Sequence, residues 1–348
     1  MLKPRASIQT LAPHHSPILS RDGLCLDLNE NAAGCSPNVL ARLRALTAQE
    51  VSRYGRREDG EQLIAKHLRI PPEQILLTNG IDDALALFFF AYLAPGDELL
   101  FADPTFVMYP MLGQACGAKV VRLRSGEDLA VDEFLRHLSR QTRVIAIANP
   151  NNPTGLVARR LDLLRIVDSA PDAAVLIDEA YAEFCDQTLI RDLPNYTNLF
   201  IARTFSKVYG LAGLRLGVLT GPADQIALLR RFCPPFNVNA AALACLEAAL
   251  ADQAFVDDYI AQMKRSCRQI ESLCAELGLR FWPSSANFVL IRIGSQVAAF
   301  VEAMHRRGII VRNTSSNPGC EGCVRITAAT EEQMPRVLAA IRESIKEI

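Results

Sequence analysis

The stretch "AAVLIDEAYAEF", residues 173–184, decides the fold. An unbroken apolar run, Ala173 to Ile177, ends abruptly in Asp178 and Glu179, with Tyr181 close behind. A strand that is apolar at every position is covered on both faces, so other elements must flank it. Runs of the same texture recur in both directions along the chain: "QILLT" (74–78), "ELLFAD" (98–103), "KVVRL" (119–123), "RVIAIAN" (143–149), "LFIART" (199–204) and "RLGVLTG" (215–221). Between many of them lie helix-length amphipathic segments such as "DDALALFFFAYL" and "RRLDLLRIVDSA". Strands alternating with helices predict an α/β fold, a mostly parallel sheet between helices. After residue 238 the texture changes to long helices with a few short strands, "ANFVLIRI" and "CVRITA" among them, which predicts a smaller α+β domain. The expected organisation is a large domain over 31–238, a small one over 239–348, and an N-terminal arm, 1–30, that packs with the latter.

Composition narrows the function. The chain has 348 residues, half of them apolar and 22% charged, enough for two domains with ample core. Lys plus Arg is 37 against 38 for Asp plus Glu, so no basic surplus points to nucleic acid or an anionic membrane. A small-molecule substrate is expected. The N-terminal "MLKPRASIQTLAPHHSPILSRDG" lacks the continuous apolar core of a secretory signal, and "ALALFFFAYLA" (84–94) falls short of the roughly 20 residues that span a bilayer. The expected location is the cytoplasm, where ten scattered cysteines stay reduced. "CEGC" (320–323) is the one CxxC, and without a second pair or a histidine cluster it reads as a loop with two thiols rather than a metal site.

Ligands of an α/β sheet bind beyond the carboxyl ends of its strands. Four such ends carry suggestive residues. "ILLTNGIDDA" is a strand, a turn at Gly80, and a helix starting at Asp82 or Asp83, whose free N–H groups suit an anion; an ordinary acidic-capped turn looks the same. "AIANPNNPTG" is a proline-stiffened loop that fixes amide side chains. Asp178 ends an apolar strand, where a carboxylate is costly unless a cation or strong donor meets it. Lys207, in "LFIARTFSKVYGLAGLR", stands just past a strand end, where a desolvated lysine becomes a neutral amine able to condense with a carbonyl. A cofactor with a phosphate handle, an aldehyde and a protonated ring nitrogen would use all four ends.

Taken in order and spacing, these motifs resemble the fold type I pyridoxal-phosphate aminotransferases, and most closely the histidinol-phosphate aminotransferase family. The resemblance covers nearly the whole chain: "LNEN" (28–31), "YGRREDG" (54–60), "PPEQILLTNGIDDAL" (71–85), "PGDELLFADPTFVMY" (95–109), "NPNNPTG" (149–155), "DEAYAEF" (178–184), "RTFSKVYGLAGLRLG" (203–217), "PFNVN" (235–239), "SSANFVL" (284–290) and "GCVRIT" (322–327). It implies that Lys207 carries pyridoxal 5'-phosphate on its amine and then shuttles the proton. Asp178 would keep the ring nitrogen protonated, Tyr181 and Asn152 would bond the ring oxygen, and Phe106 would stack on the ring. Gly80, Ile81 and Asp82 would cradle the phosphate, completed by Thr204, Ser206 and Arg215. Tyr54 would reach the partner's site in a homodimer. Arg325 would anchor the substrate's acidic group, with Arg312 as second cation for a phosphorylated substrate. The implied reaction is transamination between histidinol phosphate or imidazole acetol phosphate and 2-oxoglutarate or glutamate, in histidine biosynthesis.

Two departures from the family pattern stand out: Ala32 and Ala33 follow "NEN" where proline and an aromatic are usual, and Ile81 replaces a small residue in the phosphate turn. The first removes bulk near the expected substrate entrance and leaves open an aminotransferase for aromatic or other amino acids. A decarboxylase on the same scaffold differs only in which bond to Cα stands perpendicular to the ring. A nucleotide-dependent oxidoreductase is disfavoured because no GxGxxG opens a first strand-to-helix turn.

Overall fold

The computed structural model describes residues 2–11, 22–126 and 128–348. Residues 12–21, on which much of the N-terminal reading rests, lie outside them, as do Met1 and Glu127. The strands in chain order are β1 (Leu24–Leu26), β2 (Ile75–Thr78), β3 (Glu98–Asp103), β4 (Lys119–Arg124), β5 (Thr142–Ala148), β6 (Ala174–Asp178), β7 (Leu199–Thr204), β8 (Gly217–Thr220), β9 (Arg280–Trp282), β10 (Phe288–Arg292), β11 (Ile309–Asn313) and β12 (Cys323–Thr327).

Seven of them form one sheet in the order β2-β8-β7-β6-β5-β3-β4. All pairs from β7 to β4 are parallel, while β8 runs antiparallel to both of its neighbours. β2 therefore points the same way as β7, and the carboxyl ends of β2, β3, β5, β6 and β7 share one edge. Alternation along β6 explains its unbroken apolar run. Ala174 and Leu176 enter the apolar layer that holds the helix Ile81–Tyr92, and Val175 and Ile177 enter the layer on the opposite face. That helix buries Leu85, Phe88 and Phe89, as a core helix with phenylalanines in series must. It begins at Ile81, a residue earlier than the acidic pair suggests, because Gly80 with φ 86° takes the cap position. β4 closes the sheet with Lys119, Arg122 and Arg124 exposed, charges that discourage a further strand from adding there.

The second sheet has the order β1-β11-β12-β10-β9. β1, from the N-terminal segment, pairs in parallel with β11, which brings residues 24–29 alongside strands nearly three hundred positions later. The long helical stretch after residue 239 divides at Asp252 into Ala240–Ala251 and Gln253–Glu276. Asp252 leaves helical geometry and its Oδ2 accepts hydrogen bonds from Ser36 and Asn38. The longer helix buries Val256, Tyr259, Met263, Cys267, Ile270 and Cys274, a spacing of three and four that lays one stripe on the second sheet. Cys320 and Cys323 are free thiols, both buried beside Leu290 and Trp282. No helix among the described residues is long and apolar enough to cross a membrane.

Candidate active site

Asp178 is the last residue of β6 and is 4% exposed. Its Oδ2 accepts from the Tyr109 hydroxyl at 2.7 Å and its Oδ1 from the Ala180 N–H at 3.0 Å. Burial pushes its pKa up to about 6 even though both donors pull it down; the Asp82 and Glu179 carboxylates add to the rise. A carboxylate so placed gains from any cation brought to it.

Lys207 lies just past the end of β7, and its Nζ donates to the Leu28 carbonyl at 2.9 Å. Burial first, then the Arg325 and Arg215 charges, lower its pKa to about 8 against the opposing pull of Glu30 and Asp82. The amine thus stands between two guanidinium-bearing ends of one cleft.

At one end the helix Ile81–Tyr92 opens on Gly80 with no side chain capping it, which leaves first-turn N–H groups for an anion. A Cβ on Gly80 would come within 2.6 Å of Arg215 Nη2, and one on Gly217 within 2.5 Å of the Gly80 carbonyl carbon. Only glycines let the guanidinium and the neighbouring strand approach the helix start this closely. Arg215 itself has the left-handed φ of 55°, and its Nη2 donates to Asp82 Oδ2 at 3.1 Å. Thr204 and Ser206 are buried beside it, the Ser206 N–H bonded to Thr204 Oγ1.

At the other end Arg325, 8% exposed, donates from Nη1 to Asn152 Oδ1 and from Nη2 to the Asp27 carbonyl, each at 2.6 Å. Its Nε is buried without a partner. Arg312 stands directly opposite Arg325 in the β11–β12 register, so the two guanidinium stems leave the sheet on the same face. Arg312 makes no hydrogen bond or ion pair among the described residues, and burial lowers its pKa. Tyr181, 5% exposed, lies between the two ends and meets the Phe288 ring edge-on at 5.2 Å. Its Oη accepts from Asn29 Nδ2 at 2.9 Å. Phe106 packs edge-on against Tyr109 at 6.0 Å.

The strand edge thus gathers Gly80, Ile81, Asp82, Phe106, Asn152, Asp178, Tyr181, Thr204, Ser206, Lys207 and Arg215, and β11 and β12 supply Arg312 and Arg325. Tyr54 stands apart: it is 78% exposed and stacks on Phe236 at 4.2 Å. Two residues that the sequence reading did not single out join the site, Tyr109 on Asp178 and Asn29 on Tyr181. Both lie inside quoted motifs, but their partners are 69 and 152 positions away.

This donor set fits pyridoxal phosphate. The Gly80 cradle and Arg215 suit its phosphate, the buried Asp178 carboxylate suits a cationic ring nitrogen, and an amine with a pKa near 8 suits its aldehyde. The orphaned Nε of Arg325 leaves a buried donor that suits an anion.

Residues 21–341 match the family model "Aminotransferase class I and II". Histidinol-phosphate aminotransferase 2 of Pseudomonas fluorescens is 38% identical over 330 residues, covering 90% of this chain and 86% of that protein. The crystal structure of histidinol-phosphate aminotransferase from Sinorhizobium meliloti in complex with pyridoxal-5'-phosphate superposes with a TM-score of 0.91 at 25% identity, covering 100% of this chain and 98% of the other. L-threonine-O-3-phosphate decarboxylase from Porphyromonas gingivalis shares the fold, with a TM-score of 0.81 at 24% identity over 93% of this chain and 99% of the other.

Proposed function

Since the chain belongs to the class I and II aminotransferases, and among them to the histidinol-phosphate aminotransferase family, we propose that it transfers the amino group of histidinol phosphate to 2-oxoglutarate. It is a pyridoxal-phosphate-dependent aminotransferase of fold type I. We further take residues 31–238 as its cofactor domain and 239–348 as its smaller domain, joined by the arm 1–30, and the working form as a cytoplasmic homodimer. The pairing of β1 with β11 supports the arm's part.

Pyridoxal phosphate, when bound, supplies an aldehyde that takes up the substrate amine and a ring that accepts the electrons freed at Cα. The chain's own residues do the rest. Gly80, Ile81 and Asp82 hold the phosphate through helix-start N–H groups, with Thr204, Ser206 and Arg215 around it; the Asp82 carboxylate rests on Arg215 rather than on the anion. Asp178 keeps the proton on the ring nitrogen, stabilised by the Tyr109 hydroxyl. Lys207 Nζ, largely neutral above pH 8, takes the proton from the substrate's Cα and returns it on the other side of the reaction. Tyr181 and Asn152 would hold the ring oxygen, Phe106 would pack on the ring, and Tyr54, exposed on its own chain, would serve the partner's site.

The observation that carries the substrate is the Arg312–Arg325 pair facing each other across β11 and β12. A lone carboxylate needs one guanidinium, whereas a phosphate of nearly two charges gains from both. Purified enzyme assayed with histidinol phosphate and 2-oxoglutarate tests the proposal; absence of turnover refutes it.

A second reading, transamination of an unphosphorylated aromatic amino acid, draws on the small residues Ala32 and Ala33 and on Gly34, where an added Cβ would meet nothing within 4 Å. Tyrosine or phenylalanine as amino donor in the same assay decides between them.

A further inference from the structure

We propose that Asn29 is a positioning residue: its amide fixes the hydroxyl of Tyr181 so that the phenolic hydrogen is aimed at the cofactor's ring oxygen. This rests on the reading that Tyr181 bonds that oxygen.

Asn29 is 1% exposed and its φ of 55° is left-handed, a conformation asparagine tolerates better than most side chains. It is clamped on three sides. Its N–H donates to Thr327 Oγ1 at 3.1 Å, and its carbonyl accepts from Asn287 Nδ2 at 3.1 Å. Thr327, 1% exposed, donates its own hydrogen to Asn29 Oδ1, also at 3.1 Å, the acceptor that buried hydroxyl finds among the described residues. With the amide turned round, Thr327 could still accept from it but its own buried hydrogen would lose that acceptor, so the oxygen faces Thr327 and the nitrogen Tyr181. Asn29 Nδ2 then donates to Tyr181 Oη at 2.9 Å.

A phenol oxygen that accepts from an amide cannot point its own hydrogen back at the donor. The charged groups facing Tyr181 are Arg325, which has no acceptor to offer, and Asp178, whose oxygens bond Tyr109 and Ala180 and make no hydrogen bond with Tyr181. Phe288 closes another side with its ring. The hydrogen is left for the cleft, where the ring oxygen of the cofactor lies on the proposed reading. The same segment supplies the Leu28 carbonyl to Lys207 and the Asp27 carbonyl to Arg325, so residues 27–29 touch three functional side chains at once.

The test uses cofactor-loaded enzyme and reads the pH midpoint of its visible absorption change beside kcat and KM. Tyr181→Phe should raise the midpoint by about one unit, since the donor that favours the deprotonated chromophore is gone. Asn29→Gly keeps the left-handed backbone and deletes the amide, and should raise the midpoint by roughly half a unit, with kcat falling more than KM changes. Asn29→Asp, which can only accept, should pull the hydrogen away and shift the midpoint further in the same direction. In a Tyr181→Phe background Asn29→Gly should add nothing. A full extra shift in that background, or no shift from either Asn29 variant while Tyr181→Phe shifts, overturns the proposal. A Tyr181→Phe enzyme with an unmoved midpoint removes the reading of Tyr181, and the proposal with it.

Discussion

Replacing Asp178 by asparagine should make the cofactor-free protein more stable while removing most of its turnover. Burial raises the pKa of this carboxyl from its ordinary 3.8 to about 6. The folded chain therefore holds the proton more tightly than the unfolded chain. Its contribution to stability is fully present below pH 3.8 and is lost as pH rises through 6. At pH 8 the ionised group costs the folded state about 3 kcal/mol, from roughly 2.2 pH units at 1.36 kcal/mol each; at pH 5 the cost is about half of that. Asparagine has the same shape and no charge, and the Tyr109 hydroxyl can turn to suit either end of the amide. With an unfolding entropy of about 2.1 cal/mol/K per residue, 3 kcal/mol raises the melting temperature by about 4 °C. Calorimetry of cofactor-stripped protein at pH 8 and pH 5 reads the effect directly. Equal gains at the two pH values, or no gain at pH 8, would refute the view that Asp178 is held as a costly buried anion. With cofactor restored, the variant should keep much of its binding yet lose on the order of 10²-fold or more in kcat, because a neutral amide cannot hold the ring proton.

Lys207→Ala should abolish the visible absorption of bound cofactor and lower turnover by several orders of magnitude; retained activity, read by absorbance and assay, contradicts its assignment. Arg312→Ala should reduce kcat/KM for histidinol phosphate more than for glutamate, by roughly 1.5–3 kcal/mol, and equal losses would favour an unphosphorylated substrate. Mixing Lys207→Ala chains with Tyr54→Ala chains should restore about a quarter of the sites, since each hybrid dimer holds one intact site. Full activity of a sedimenting monomer rules that arrangement out.

Much of the sheet was legible because its strands are apolar throughout: β3 and β7 span the residues of "ELLFAD" and "LFIART". The reversed direction of β8 was not, since strand polarity is set by the path of residues 205–216 and leaves no mark on "GVLT" itself. β1 and β9 are three residues long, too short for a period to show. Charged or special residues at strand ends, Asp178 and Lys207 above all, were visible from type and place alone. Tyr109 and Asn29 were not, because a tyrosine on a helix and an asparagine after a short strand look ordinary until the fold brings Asp178 and Tyr181 to them. Arg312 and Arg325 were read separately, and their facing register appears only once β11 and β12 pair.

The bonds from Arg325 to Asp27 and from Thr327 to Asn29 each bridge 298 positions. On a ribosome adding about 5–20 residues per second, the N-terminal half of this arrangement waits roughly 15–60 s for its other half to be made. Until β11 emerges β1 lacks the strand it pairs with, and until β12 follows the Asp27 carbonyl lacks Arg325. Every strand of the seven-stranded sheet, with Asp178 and Lys207, precedes Arg325 in the chain. A chain cut short between β11 and β12 therefore holds only one of the two guanidiniums that the register sets opposite each other.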